Sequence, residues 1–411
     1  MEGFVLADGV FIFIATVMVM LMTPGLALFY GGLVKSKNIL STTMHSYTTM
    51  MIVSVQWILI GYSLAFGPDV FGFIGNLDWA GLKGVGFEPN PDYSSTLPHN
   101  LFMMFQLMFA ILTPAIISGA YAERMKFSAF IIFTLLWTTF IYDPVAHWVW
   151  GVGGWLRELG ALDFAGGNVV HITSGVSGLV IAVMLGKRKA GGVSTPHSLP
   201  FTILGAGLLW FGWFGFNVGS ALTINEVAMN AFVTTNTAAA MGSIGWLAVE
   251  WFYTKKPTVL GAVSGAVSGL VAITPACGFV TPVSSIIIGF IGGVVCYIGV
   301  SYIKSKFDYD DALDAFGLHG IGGTWGGIAT GIFASTKVNE AGADGLIYGS
   351  ISLLNKQLIA IGATWAFSIV GTFILLYIVK KVVGLRVDDE VESIGLDLSI
   401  HGEKAYDKPS F

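Results

Sequence analysis

Uncharged apolar stretches of about twenty residues recur along the whole chain with short polar breaks between them, and no other feature limits its possible folds as strongly. A helix rising ~1.5 Å per residue needs roughly 20 apolar residues to cross a ~30 Å hydrocarbon layer, where a helix also satisfies its own backbone hydrogen bonds. The stretches read as spans near 8–34, 40–66, 98–121, 127–147, 163–185, 200–220, 229–251, 258–275, 282–303, 314–334 and 356–381. The uncharged run 257–303 is too long for one span, and Thr274-Pro275-Ala276-Cys277-Gly278 through Thr281-Pro282 breaks it. The expectation is an all-α polytopic membrane protein: eleven transmembrane helices within 1–381 and a charged tail over 382–411.

Composition leaves little room for anything else. Charged residues make up 11% of the chain and hydrophobic residues 54%, whereas a soluble domain carries roughly a quarter charged. Charge gathers only in the loop around Asp69 to Asp92 and after Lys380, too little for an aqueous domain. By composition alone the tail reads as solvated. Met1-Glu2-Gly3 lacks a basic n-region and the run after it outlasts a signal-peptide core, so the first span is expected to be retained.

Loop charge sets an expected orientation. One alternating set of loops holds Lys35, Lys37, Arg124, Lys126, Lys187, Arg188, Lys189, Lys255, Lys256, Lys304, Lys306 and the basic residues from Lys380 onward; the other holds only Lys83, Arg157, Lys337 and Lys356. The basic set faces the cytoplasm, which puts the amino terminus outside and the tail inside the cytoplasmic membrane. Many of the 54 glycines fall at small-xxx-small spacing, as in Gly261, Gly265, Gly269 and Gly322, Gly326, a pattern that lets helix backbones approach closely. No basic run exceeds Lys187-Arg188-Lys189, so a nucleic-acid partner is excluded. Cys277 and Cys296 read as buried free thiols.

Two spans carry the same unusual pair. Asp163-Phe-Ala-Gly-Gly-Asn-Val-Val-His171 in the fifth and Asp311-Ala-Leu-Asp-Ala-Phe-Gly-Leu-His319 in the tenth each place histidine eight residues after aspartate, with small residues following. At ~1.5 Å per residue each histidine lies about 12 Å inside its aspartate, near mid-membrane. The fifth span runs inward and the tenth outward, so the relation is inverted. A five-plus-five inverted repeat with an eleventh helix added brings both histidines to the repeat interface, where transporter sites lie. Intramembrane histidines face a cavity or a partner rather than lipid, so a pore-lining pair is expected, with a purely structural tie between helices as the alternative. His45, His99, His147, His197 and His401 fall at span ends, in loops or in the tail and read as structural.

These segments, together with Gly212-Trp213-Phe214-Gly215-Phe216-Asn217-Val218-Gly219-Ser220, Ala120-Tyr121-Ala122-Glu123-Arg124 and Phe316-Gly317-Leu318-His319-Gly320, strongly resemble the ammonium transporter family (Amt/Mep, related to the Rhesus glycoproteins). The likeness spans the chain and includes the tail segments Gly384-Leu385-Arg386-Val387-Asp388-Asp389-Glu390 and Gly395-Leu396-Asp397 through Tyr406, which are similar to the bacterial and archaeal branch. The resemblance implies a homotrimer with one pore per subunit, no cofactor or metal, and a tail that couples the pores to a trimeric PII-type signal protein at the inner mouth. It also implies an outer binding site of Phe109, Trp150 and Ser220, a gate of Phe109 and Phe216, a pore lined by Trp213, His171 and His319, and Asp163 supporting the outer site. Asn168 departs from the pattern, where a threonine is expected, and lies off the histidine face.

Those residue types suit the chemistry. Ammonium and potassium match in charge and size, so a selective pore must use what potassium lacks: directional N–H donors and a proton to give up. Aromatic faces attract a cation by ~0.5 to 2 kcal/mol, and a serine oxygen accepts an N–H. Carrying a bare cation through mid-membrane costs ~2.5 to 3.5 kcal/mol on insertion scales, which neutral ammonia avoids. The expected activity is therefore binding of ammonium outside, deprotonation, and passage of ammonia past a histidine pair able to relay the proton. Asp163, ahead of Gly166-Gly167, reads first as a helix cap and only second as a proton handler. The rival readings are an ammonium sensor with little flux, a neutral NH3/CO2 gas channel, which Trp150 with Ser220 speaks against, and an intramembrane enzyme. For the last, the chain shows neither a metal-spaced His/Glu motif nor a nucleophile elbow.

Overall fold

The computed structural model describes residues 3–189 and 195–406, and they form a bundle of eleven helical rods. These are α1 (Leu6–Leu33), α2 (Ile39–Phe66), α3 (His99–Tyr121), α4 (Phe127–Trp137 continuing through Asp143–Trp150), α5 (Gly167–Leu185), α6 (Leu199–Gly219) and α7 (Glu226–Thr254), followed by α8 (Val259–Ile273), α9 (Pro282–Phe307), α10 (Phe316–Gly320 continuing as Ile321–Phe333) and α11 (Ile351–Val382). Eight of them are long and apolar enough to cross a membrane by length and composition. The other three are the short α8, the Asn- and Thr-bearing α7 and the glycine-rich α10. The fold is that of a polytopic helical membrane protein.

The packing follows the inverted repeat. α1 lies along α6, the first helix of each half against the other, and α5 packs on α10 in the same way. α11 lies outside this arrangement, against α5 and α10. Small residues set the closest crossings. A methyl group on Gly175 of α5 would stand 2.1 Å from the Gly320 nitrogen of α10, and one on Gly269 of α8 would stand 2.0 Å from the Ala238 carbonyl of α7. Neither site has room for any other residue, so a side chain there would force the helices apart.

Helix breaks come where the sequence places them. α8 ends before Thr274-Pro275, and α9 opens at Pro282 with the Thr281 hydroxyl accepting from the Ser284 N–H at 3.2 Å. Several expected limits shift outward: the expected span 229–251 runs Glu226–Thr254, and the expected span 282–303 runs to Phe307. α4 runs on to Trp150, and α11 begins at Ile351, which puts Lys356 on a helix rather than in a loop; its long stem can reach water from there. Between α2 and α3 the chain forms two small hairpins, Asp69–Val70 with Ile74–Gly75 and Pro89–Asn90 with Ser94–Pro98.

Composition alone reads the tail as solvated, and the structure corrects this. Leu385, Val387, Leu396 and Asp397 are buried. Lys126 N–H donates to the Leu385 carbonyl at 2.9 Å and Val387 N–H to the Arg124 carbonyl at 3.0 Å, stitching the tail to the α3–α4 loop. Asp397 accepts from the backbone N–H groups of Leu40 and Ser41 at 3.1 and 2.8 Å, so a tail carboxylate caps α2. Net charge hides these few apolar anchors. Residues 407–411 of the expected tail lie outside the described residues.

Candidate functional site

Three rods converge on one mouth of the bundle. Phe109 comes from the middle of α3, Trp150 is the last residue of α4, and Phe216 with Ser220 sit one turn apart at the end of α6. Together with Phe66, Tyr93 and Phe102, the residues Phe109, Trp150 and Ser220 line a cavity of about 240 Å³. Backbone acceptors fix its polar groups. Ser220 Oγ donates to the Phe216 carbonyl at 2.8 Å, which leaves its lone pairs free, and the Trp150 indole donates to the Asp163 carbonyl at 3.0 Å. The Arg157 guanidinium in turn holds the Trp150 carbonyl at 2.7 Å.

Below the cavity the path is closed by rings. Phe109 and Phe216, both buried, lie with centroids 4.3 Å apart, and Phe109 meets Trp150 edge-on at 5.9 Å. Phe216 stacks above His171 at 6.0 Å. Trp213 flanks the same imidazole at 5.6 Å, its own indole held by Thr274 Oγ1 at 2.9 Å.

His171 and His319 meet at the crossing of α5 and α10 with Nδ1 to Nδ1 at 3.2 Å, both rings buried. A hydrogen bond between two Nδ1 atoms needs one to donate and the other to accept, so the neutral pair holds opposite tautomers. One Nε2 then carries a proton and the other a lone pair. His171 Nε2 is buried without a hydrogen-bond partner among the described residues. Each histidine sits in a single π-helical turn, Gly167–Ile172 in α5 and Phe316–Gly320 in α10, the kind of local widening that recurs at functional positions.

Each paired aspartate caps its own histidine's helix. Asp163 accepts from the backbone N–H groups of Gly166, Gly167, Asn168 and Val169 at 2.8, 2.6, 2.7 and 3.4 Å. The turn needs φ +121° at Gly166, open to glycine alone at low cost. Asp311 accepts from Ala315 and Phe316 at 3.1 and 2.7 Å. Asp163 belongs to the mouth with Trp150; Asp311 belongs to the opposite end, beside the α3–α4 loop and the tail. There Arg188 forks between Glu123 at 2.8 Å and Asp310 at 2.8 and 2.9 Å. Burial pushes the Asp310 carboxyl up, but the hydrogen bonds and charge of Arg188 outweigh it and hold the group down at about 2. Burial likewise raises Glu123, while the Lys35 N–H, Asn38 and Arg188 together bring it below its ordinary value.

All eight residues singled out in the sequence thus lie along one line from the mouth to mid-bundle. Asn168 uses its N–H in the Asp163 turn and lies beside the line. The remaining histidines outside the tail do structural work or none. His99 bonds Tyr62, His147 bridges Ala65 and Asp69, His197 bonds Val34 and Tyr406, and His45 packs unbonded against Phe130. Sequence reasoning missed Thr274, hidden in a stretch read only as a helix break, and the mouth residues Gln106 and Arg157. The position three residues before Phe109 on one helix is a signal that could have found Gln106; nothing local marks Arg157. Cys277 and Cys296 are buried and free.

Comparison with known proteins agrees with this geometry. Residues 10–406 match the family model described as the Ammonium Transporter Family. The ammonium transporter of Bacillus subtilis (strain 168) is 66% identical over 401 residues, 98% of each chain. The crystal structure of Saccharomyces cerevisiae Mep2 superposes with a TM-score of 0.88 at 38% identity, covering 95% of this chain and 89% of that one. A structure described as a sensor Amt protein does so at 0.88 and 30%, covering 96% and 98%. This is a transporter family rather than a family of enzymes. The chain belongs to the ammonium transporter family, and its work is ammonium transport at a membrane.

Proposed function

We propose that ammonium binds in the aromatic cavity at Phe109, Trp150 and Ser220, gives up its proton near the Phe109–Phe216 gate, and crosses as ammonia past His171 and His319. Aromatic faces compensate a partly dehydrated cation by ~0.5 to 2 kcal/mol, enough to collect it at the mouth but short of carrying it through an apolar lumen. A species that can shed a proton therefore passes, and potassium does not.

The observation that carries this reading is the 3.2 Å contact between the two Nδ1 atoms directly below the closed rings. Imidazole both donates and accepts, and its reference pKa of ~6.5 makes proton exchange accessible at neutral pH. A proton received at one Nε2 leaves from the other after the Nδ1 proton shifts across, so the pair relays charge while the lumen passes a neutral molecule. Two touching imidazoles titrate as one unit and do not both charge.

The reading extends to uptake across the cytoplasmic membrane with the amino terminus outside, to a homotrimer, and to a PII-type signal protein at the tail end, where the packed tail supports a folded docking surface. Cross-linking in the membrane and co-elution with a purified PII-type protein are the checks on those parts.

The test of the pathway is the double substitution His171→Leu with His319→Leu. Reconstituted in proteoliposomes on a solid-supported membrane, the wild type gives a current on ammonium addition and none on potassium. The double variant is expected to assemble normally and to give no ammonium current. An unchanged current removes the histidines from the mechanism, and a wild type that alkalinises vesicles without current is a neutral ammonia channel instead.

A further inference from the structure

The polar side chains of the mouth cavity are nearly all committed. Tyr93 donates its hydroxyl proton to the Phe66 carbonyl and accepts from the Val152 N–H. Trp150 spends its N–H on Asp163, Arg157 is a cation tied to the Trp150 carbonyl, and Asp92 is exposed at the rim. Ser220 keeps its lone pairs, having given its proton to Phe216. That leaves Gln106. Its side chain lines the cavity, the residue is only 9% exposed, and its Oε1 is buried with no donor among the described residues.

Such an orphan is costly. A buried amide oxygen without a donor leaves its lost hydration uncompensated, so it is kept where something supplies the donor. Gln106 stands three residues before Phe109 on α3, on the same helix face and one turn nearer the mouth. Its terminal torsion is broad and lets the amide oxygen swing into the cavity.

We infer that Gln106 is a second hydrogen-bond acceptor, beside Ser220, for the cation in this cavity. This rests on the proposed binding of ammonium at the mouth. Ammonium is a tetrahedron of four donors, and the cavity offers it four partners: the Ser220 oxygen, the Gln106 oxygen, and the faces of Phe109 and Trp150. Methylammonium has three donors, so one partner must face a methyl group. An aromatic face accepts that readily, so methylammonium keeps both oxygen acceptors and Gln106 serves either cation.

Uptake of radiolabelled methylammonium into cells or proteoliposomes, competed by ammonium, reads both affinities in one assay. Gln106→Leu is expected to raise the ammonium inhibition constant about tenfold, the scale of a lost hydrogen bond to a charged group, and the methylammonium KM by a similar factor. Gln106→Glu, which retains an acceptor, is expected to leave the ammonium constant at or below the wild-type value. Gln106→Met repeats the test should the leucine variant fail to assemble. Ser220→Ala separates this inference from the reading beneath it. If Ser220→Ala weakens ammonium and Gln106→Leu does not, the inference is wrong and the mouth site stands; if neither does, the mouth site itself is wrong. Failure of both apolar variants to assemble makes the amide structural and overturns the inference as well.

Discussion

The two halves of the repeat use one sequence device in two electrical settings. Asp163 closes a turn with four backbone N–H groups and opens onto an aromatic cavity; Asp311 makes two such bonds and sits beside Lys304, whose ammonium bonds the Asp311 carbonyl and Asp314 at 2.6 Å. Arg188, Glu123 and Asp310 continue that ionic cluster toward the tail. The same aspartate-to-histidine spacing thus yields a mouth that presents rings and neutral acceptors and an opposite end held by ion pairs. Backbone geometry is shared because both helices must place a histidine at one crossing. On the proposed pathway the surroundings differ because only the mouth has to select a cation.

The comparison is tested first at its strongest cap. Asp163→Ala orphans four buried N–H groups, and a loss of about 3 to 5 kcal/mol is expected, read as failure to accumulate in membranes or a large drop in thermal unfolding temperature. Near-normal stability would mean that the cap is dispensable and the two halves less alike than they look. Next, Arg188→Ala leaves Glu123 and Asp310 without their shared cation. About 2 kcal/mol is expected, seen as earlier proteolytic release of the tail with the mouth site still competent in methylammonium uptake. Loss of uptake affinity at the mouth would show that the two ends are not separable.

Acidification should give the smallest effect. Because the Asp310 carboxyl is depressed in the folded state, its contribution is complete above pH ~4 and disappears as pH falls through about 2. Pepsin cleavage of the tail is therefore expected to rise between those values in the wild type and to lose that acid-dependent rise in Arg188→Ala, where Arg188 no longer holds the Asp310 carboxyl down. Identical profiles would take Asp310 out of the tail's attachment.

Much of this was legible in the residues. Eleven spans, the break at Thr274–Pro282 and the eight-residue echo are local properties, set by the length of uncharged runs and by helical rise. Along the line from Trp150 to His319, Asp163, His171, Trp213, Phe216, Ser220 and His319 lie in the quoted motifs, whereas Phe109 and Trp150 came only from the family resemblance. Other features were not legible, for a common reason. Thr274 bonding Trp213 joins residues 61 apart, Arg157 reaches back to Trp150 from a separate short helix, and Asp397 caps α2 across a separation of 356 residues from Ser41. No period or motif encodes such pairs.

The packed tail shows the same limit at larger scale. Its charge is visible in composition, but Leu385, Val387 and Leu396 are single apolar residues whose burial depends on grooves supplied by the α3–α4 loop and the start of α2.

From the chain alone came the solvent it needs, the number of times it crosses that solvent, and the pairing of two aspartates with two histidines, because hydropathy and helical rise act residue by residue. Only the tertiary structure decided that the two imidazoles touch through Nδ1, that Phe109 and Phe216 close above them, and that Gln106 keeps an acceptor unspent. Those outcomes depend on how closely glycine-lined helices cross, a distance set jointly by residues far apart in sequence.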